Sequence, residues 1–527
     1  MIAVSDAWKD TQYRFLLPES YVEVTCAITE TGVQESATVS GTNEAFFSNL
    51  AAVRGVTGSK ITAKKYATNE LNLWALDGSR NIMPDSEPYE NAGYVSNIES
   101  TGSVTLTLPE VHSVAIPGVT IRWSSEFEEY PSVFTVTAKN GNTVVAETTV
   151  TDNTEQEVLV DLGISDYDSV TVSVLNWGLP HRRARIEYFA LGHMLVFSKN
   201  DLLSYSHEQS GDLLGGELPK NSVSFSINNI DGRWNPSNPT GLERYLSERQ
   251  KVTVRYGLDV NGSIEWIKAG TFYLSEWSAP SNGFEAKFVA RDVFEFMLGV
   301  EMKSATVDTL KGQVEWAARA TLPDPSIVVI DSSLANYSTE YKGDGTAAEI
   351  VQKCANAAGC VLRYDRDGIL HIEPLRKEFA DYRITSALAY SHPEVELTKP
   401  LKTVEVSYGA ETPYELSISS NGEVQTVNND FITDETQAAF VAAWVRDTLK
   451  ERKTVRGEYR ADPRLDLFDI VIVESKYGAL TPVAITDIKY TFNGSFRASF
   501  AGRIIDAVSS STLGAFVLGQ GRLGGGV

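Results

Sequence analysis

The sequence predicts a mainly β, multidomain protein that becomes α+β in its C-terminal half. Three observations carry this. At 527 residues the chain exceeds a single ordinary core, and its 42% hydrophobic and 22% charged content is that of a folded protein. Alternating β-branched and aromatic runs recur along it: YVEVTCAIT (21–29), SVTLTL (103–108), FTVTA (134–138), SVTVSVL (169–175), SVSFSI (222–227), KVTVRYG (251–257) and KTVEVSYG (402–409). Between such runs stand Asn140-Gly141, Asn261-Gly262, Asn282-Gly283, Asn421-Gly422 and Asn493-Gly494, dipeptides that supply the positive φ of tight hairpins.

The elements follow in chain order. Residues 1–65 give an N-terminal strand region, either separate or part of the first barrel that follows at 193–298, and 66–192 give a self-contained, jelly-roll-like β-sandwich. Strands return over 193–298. In the 299–400 segment TAAEIVQKCANAAG reads as a helix, with Thr346 and Glu349 at capping-box spacing and Gly359 as its stop. In 401–508 a second helix is expected at 434–451, where Asp434 and Gln437 cap TDETQAAFVAAWVRDTLKER. Residues 509–527 form a Gly/Ser-rich tail. The motif V-x-V-x-Y-G occurs twice, at 252–257 and 404–409.

Charge and cysteine content narrow the function. The chain has 46 basic and 69 acidic residues, a formal charge of −23, which repels phosphate backbones. DNA is expected to pass such a surface without tight binding. Cys26, Cys354 and Cys360 have no CxxC spacing and read as small buried hydrophobes. No basic segment followed by an apolar one opens the chain, so no signal peptide is expected.

Catalytic patterns are missing. HExxH, G-x-S-x-G, the P-loop and a helix-opening G-x-G-x-x-G are absent, and the six histidines are scattered singly. No cofactor, metal or catalytic residue is expected, and the chain reads as a non-enzyme. His207-Glu208 beside Asp212 reads as a strand end entering a Gly-rich loop. In the sandwich, Trp74, Trp123, Tyr130 and Trp177 are candidate platforms for stacking on sugar rings, weighed against the alternative that they fill the space between two sheets.

The densest carboxylate cluster lies in ADPRLDLFDIVIVESKYG, residues 461–478. Asp462-Pro463 reads as a turn, and Leu465 and Leu467 begin an alternation that leads into a buried strand. Asp466 and Asp469, three apart on an extended chain, are expected on opposite faces, which spreads them too far for a metal site. Arg464 or Lys476 is placed to neutralise them. Asp462, Asp466 and Asp469 are expected at a barrel lip, as a subunit contact or lumen wall.

The stretch from WGLPHRRARIEYFALG at 177 through INNIDGRWNP, QKVTVRYG and GTFYLSEW resembles bacteriophage tail-tip or baseplate hub proteins of phages of Gram-positive hosts. Residues 344–374 look like the helix-plus-hairpin element of those proteins, and 441–503 like their closing barrel. The resemblance implies two tube-like antiparallel β-barrels, at 193–298 and 401–508, with the V-x-V-x-Y-G echo marking one in each. It implies a homotrimer whose six barrels match a six-fold tail tube, located at the distal tip of the virion. The implied partners are a distal tail protein or tail tube, a tape-measure protein and tail fibre or receptor-binding proteins, and the hub would open to release tape measure and DNA. The 66–192 block departs from the family plan, and the long C-terminal lysin or fibre regions of many tail-associated proteins are not seen. Two other functions stay open on sequence: an adhesin for host cell-wall glycan, and a tail-associated cell-wall hydrolase.

Overall fold

The computed structural model describes residues 2–14, 19–29, 33, 36–41, 103–123, 130–176, 186–280, 283–303, 307–339, 345–376, 379–409 and 412–505. The protein is mainly β, with several antiparallel sheets and three substantial cores.

The first core belongs to a 13-stranded sheet. In spatial order it begins with His193–Phe197, the head strand, followed by Ser20–Ile28, Lys251–Val260, Ser263–Ser278, Glu285–Arg291, Lys220–Asn228 and Leu202–Ser210. It continues through Leu480–Phe492, Phe496–Ile504 and Lys453–Tyr459 to Glu394–Leu397, the tail strand; Ile470–Glu474 and Phe379–Ile384 branch from Leu480–Phe492. The sheet curls back on itself. Five strand spacings separate Lys251–Val260 from Leu480–Phe492, roughly 24 Å if flat. Yet the Tyr256 ring lies 6.0 Å from that of Tyr490 and 4.9 Å from that of Phe496.

The two strand sets implied by the resemblance thus meet edge to edge. Leu202–Ser210 pairs with Leu480–Phe492 in the register Tyr205↔Phe492 to Ser210↔Asp487, and both sets bury side chains in one core. The expected echo is corrected here. Its first copy, at 252–257, lies in the large sheet, whereas Leu401–Val406 of the second pairs with Tyr414–Ser417 and Glu423–Val427 in a separate three-stranded sheet. Val404 and Val406 there are fully buried against the Glu435–Leu449 helix, in the second core.

That second core also takes the helices Leu310–Thr321 and Ala347–Ala357 and the hairpin Val361–Tyr364/Leu370–Glu373. The capping expectations hold in atomic detail: Thr346 Oγ1 accepts from Glu349 N–H while Glu349 accepts from Thr346 N–H, and Asp434 accepts from Gln437 N–H. The Leu310–Thr321 helix was not expected from sequence, although Thr309 caps it and Leu310, Val314, Ala317 and Ala318 form its buried stripe.

The third core is the sandwich. A five-stranded sheet ordered Thr38–Gly41, Ser103–His112, Tyr167–Asn176, Val133–Asn140, Thr143–Val150 faces a three-stranded one ordered Glu157–Ile164, Ile116–Trp123, Ile186–Leu191. Val33 joins this core, so the sandwich draws on residues N-terminal to 66. Gly192 links it to the head strand. Its φ is +89°, and a Cβ there would stand 2.0 Å from Ile28 O, so only glycine fits.

Candidate functional site: the carboxylate loop and the seam between the strand sets

The strand that follows the carboxylate loop begins later than its apolar pattern suggests, at Ile470, and residues 461–469 are irregular. Phe468 adopts φ +66°. This loop folds inward instead of forming a lip.

Asp462 is wholly buried. Its carboxylate receives the Arg464 backbone N–H at 3.1 Å and the Arg464 guanidinium through Nε at 2.9 Å and through Nη2. Asp466 accepts from Arg366 Nε at 2.7 Å, and Asp469 accepts from the Asp466 backbone N–H at 2.9 Å. Burial pushes the Asp469 carboxyl above its ordinary range. The expectation that Asp462 faces a lumen or another subunit is therefore corrected, since it is wholly buried and engaged inside its own chain; Asp466 and Asp469 bond within the chain but stay half-buried. Asp466 and Asp469 are brought together rather than spread, because the loop is not extended. Arg464 neutralises Asp462, and the cation that meets Asp466, Arg366, comes from 100 residues upstream, where no local pattern announces it.

Arg366 is the bridge. It sits at the tip of the Val361–Tyr364/Leu370–Glu373 hairpin and also donates to Lys268 O at 3.1 Å and Leu465 O at 2.9 Å. Beside it Tyr364 OH donates to Thr271 O at 2.8 Å, and Asp367 pairs with Lys268 at 3.0 Å. The hairpin is thereby fixed to the large sheet. On the far side, Asn356 and Gln352 donate to Leu214 O and Gly215 O, each at 2.8 Å, so the Gly-rich loop after His207 clasps the Ala347–Ala357 helix.

His207 lies at the centre of the seam. The expected strand end is the interior of Leu202–Ser210, and the ring is buried. Burial, with the charge of Arg366 as a further contribution, pushes its pKa down to about 4. The neutral ring then has one possible arrangement, given that the Asn221 carbonyl can only accept: Nε2–H donates to Asn221 Oδ1 at 2.7 Å, and Nδ1 accepts from Tyr256 OH at 2.7 Å. Tyr256, having donated, accepts from Tyr205 OH at 2.8 Å. Tyr490 OH donates to the carboxylate loop, 3.0 Å from Leu465 O. The chain of hydroxyls and imidazole is satisfied internally. It offers no nucleophile paired to a base at an accessible surface.

A cleft of about 550 Å³ lies between the hairpin and the carboxylate loop, lined by Arg363, Asp367, Arg376, Asp466 and Phe468. A larger concavity of about 740 Å³ crosses the outer face of the seam, with the ion pair Lys489–Glu208 on its wall. Among the described residues no three His, Cys, Asp or Glu side chains are grouped to hold a metal ion.

The sandwich places Trp123 at zero exposure, edge-on to Phe134 with ring centroids 5.6 Å apart. It fills the space between the sheets, and its candidacy as a sugar platform is corrected. Tyr130 is half-buried against the same core. Trp74 and Trp177 lie outside the described residues.

No known family and no curated protein matches the sequence. Among solved structures the chain is similar to the 43 kDa tail protein of prophage MuSo2 from Shewanella oneidensis, at 13% identity and a TM-score of 0.41, over 59% of this chain and 95% of that one. It is similar to a tail protein from Neisseria meningitidis MC58, at 13% and 0.42, over 59% and 94%. A third is prophage tail protein gp18 from Listeria monocytogenes EGD-e, at 10% and 0.38, over 59% and 91%. All three likenesses are distant.

Proposed function

We propose that this chain is a structural subunit of a phage tail, the hub at its distal tip, assembled as a homotrimer that closes the tail tube and opens for release of tape measure and DNA. The observation that carries the reading is the curled 13-stranded sheet, in which two strand sets from distant parts of the chain share one core. Two such sets per chain suit a three-subunit ring that must match six-fold symmetry. The sequence resemblance over about 190–505 supports the same assignment, and the formal charge of −23 suits a conduit through which DNA slides without adhering.

The role is mechanical. Arg366, Tyr364 and Asp367 tie the helical unit to the sheet beside a small apolar cluster of Val361, Leu467, Phe468, Ile470 and Ala484, so movement of that unit would have to break both the polar contacts and this packing. The partners in this reading are a distal tail protein or the tube, the tape-measure protein, and fibre or receptor-binding proteins. Gold-labelled antibody against the chain, viewed on intact particles by electron microscopy, should mark the distal tail tip. Labelling confined to heads, or particles lacking the chain, would refute the proposal.

A further inference from the structure

The strand Val328–Ile330 stands at one end of the sheet ordered Val328–Ile330, Leu370–Glu373, Val361–Tyr364, and among the described residues no strand pairs with its other side. Its pairing with Leu370–Glu373 is parallel, with Ile330 aligned to Ile372, and Asp331 N–H donates to Ile372 O at 2.9 Å. In a parallel pair a residue bonds to the two that flank its neighbour, so Ile372 N–H donates to Val329 O while Ile372 O accepts from Asp331 N–H. Ile330, between them, turns both its N–H and its C=O outward. Val328 C=O points the same way, whereas Val328 N–H is used by Pro325 O. Three backbone groups thus stand in a row on an open edge, the arrangement to which an extended chain adds.

The edge opens into a groove of about 350 Å³ whose other wall is the Leu310–Thr321 helix. Lys311, Glu315, Ala318 and Arg319 line the helix wall, and Val328 and Ile330 line the strand wall. Val328 and Ile330 also pack against the second core, while Val329, on the opposite face of the strand, is exposed. Glu315 lies 3.9 Å from Lys311 Nζ and 3.6 Å from Arg319 Nη2, both too long for a hydrogen bond, so the donors of the two cations remain available. Two cations against one anion make this groove locally positive on a chain whose formal charge is −23. A positive wall beside an open strand edge selects a negative, extended occupant.

We propose that this groove binds an extended acidic peptide of a partner protein, which adds as a further strand beside Val328–Ile330 and runs along the Leu310–Thr321 helix. The added strand donates to Val328 O and Ile330 O and accepts from Ile330 N–H. Lys311 and Arg319 are eight residues apart, roughly 12 Å along the helix axis. Residues four apart on a strand share a face and are separated by roughly 13 Å. The peptide is therefore recognised by carboxylates at i and i+4, one for each cation, with a small uncharged residue at i+2 opposite Glu315. Residues i+1 and i+3 lie on the face of Val329 and are apolar. The groove is complete within one chain, so the inference goes beyond the hub reading and does not depend on it.

A fluorescein-labelled peptide of sequence Glu-Val-Ser-Val-Glu, capped at both ends and titrated with the full-length chain, should show saturable binding by fluorescence anisotropy, and hydrogen exchange at the Ile330 amide should slow when it binds. The same peptide with lysine for both glutamates should bind about tenfold more weakly. Ile330→Pro removes only an outward N–H of an edge strand and should weaken binding about tenfold without lowering the melting temperature. Lys311→Glu together with Arg319→Glu, both on the solvent side of the helix, should reverse the preference in favour of the lysine peptide. Absence of saturable binding at millimolar peptide, equal binding of the two peptides by the wild type, or unchanged affinity in both variants would overturn the proposal. An edge already held by another copy of the chain, seen as a smaller oligomer for Ile330→Pro with no peptide bound by the wild type, would overturn it as well.

Discussion

In the sandwich the buried polar residues are Thr120, which bonds to Gly192 and Met194, and Asn153, which holds the Pro131 loop, whereas the interior of the large sheet holds His207, Tyr205, Tyr256, Tyr490 and the ion pair Asp462–Arg464 amid its apolar residues. The sandwich forms within one stretch of chain, where alternation alone suffices to choose the buried face. The large sheet must mate strands near 205 with strands near 490, and directional contacts discriminate between registers where apolar contacts do not. Buried polar groups thus mark the place where distant segments had to find one partner.

The largest test of that contrast is Arg464→Ala, which strands the buried Asp462 carboxylate and should destabilise the large sheet by about 3–5 kcal/mol. Calorimetry should show its transition falling while that of the sandwich holds. Leu106→Ala is the converse, about 3 kcal/mol from the sandwich transition alone.

Acid sharpens the comparison through two buried groups of opposite sign. His207 protonates near 6.5 when unfolded and about 4 when folded, so the stability it confers is present above 6.5 and is lost as pH falls from there through 4, about 3 kcal/mol in all. Asp292 is raised by burial from 3.8 to about 7, so its contribution is present below 3.8 and is lost as pH rises through 7. Between pH 4 and 6.5 the two slopes oppose. Asp292→Asn should unmask a stability that climbs with pH, and His207→Gln one that declines, as read by urea denaturation at each pH. The smallest effects belong to the helix caps: Asp434→Ala or Thr346→Ala should each cost about 1 kcal/mol by the same assay.

Local grammar was legible in the sequence. The caps at Thr346 and Asp434 and the Asn261-Gly262 hairpin, with φ of +56° and +91°, need only neighbours a few residues away. Asp462-Pro463 was correctly read as part of a turn, but its burial was not legible, because Arg464 could as well have paired with Asp466. Arg366 was missed since its partners, at 268, 465 and 466, come from two other regions. The fusion of the strand sets was hidden for the same reason. The V-x-V-x-Y-G echo misled because a strand motif specifies alternation and says nothing of which sheet receives it.

The central claim is that copies of this chain assemble into a closed three-fold ring, and the mass of the purified full-length protein measured across concentration by light scattering tests it most directly. A three-fold ring gives a species of three times the 57.8 kDa chain mass. A single 57.8 kDa species at every concentration would contradict it.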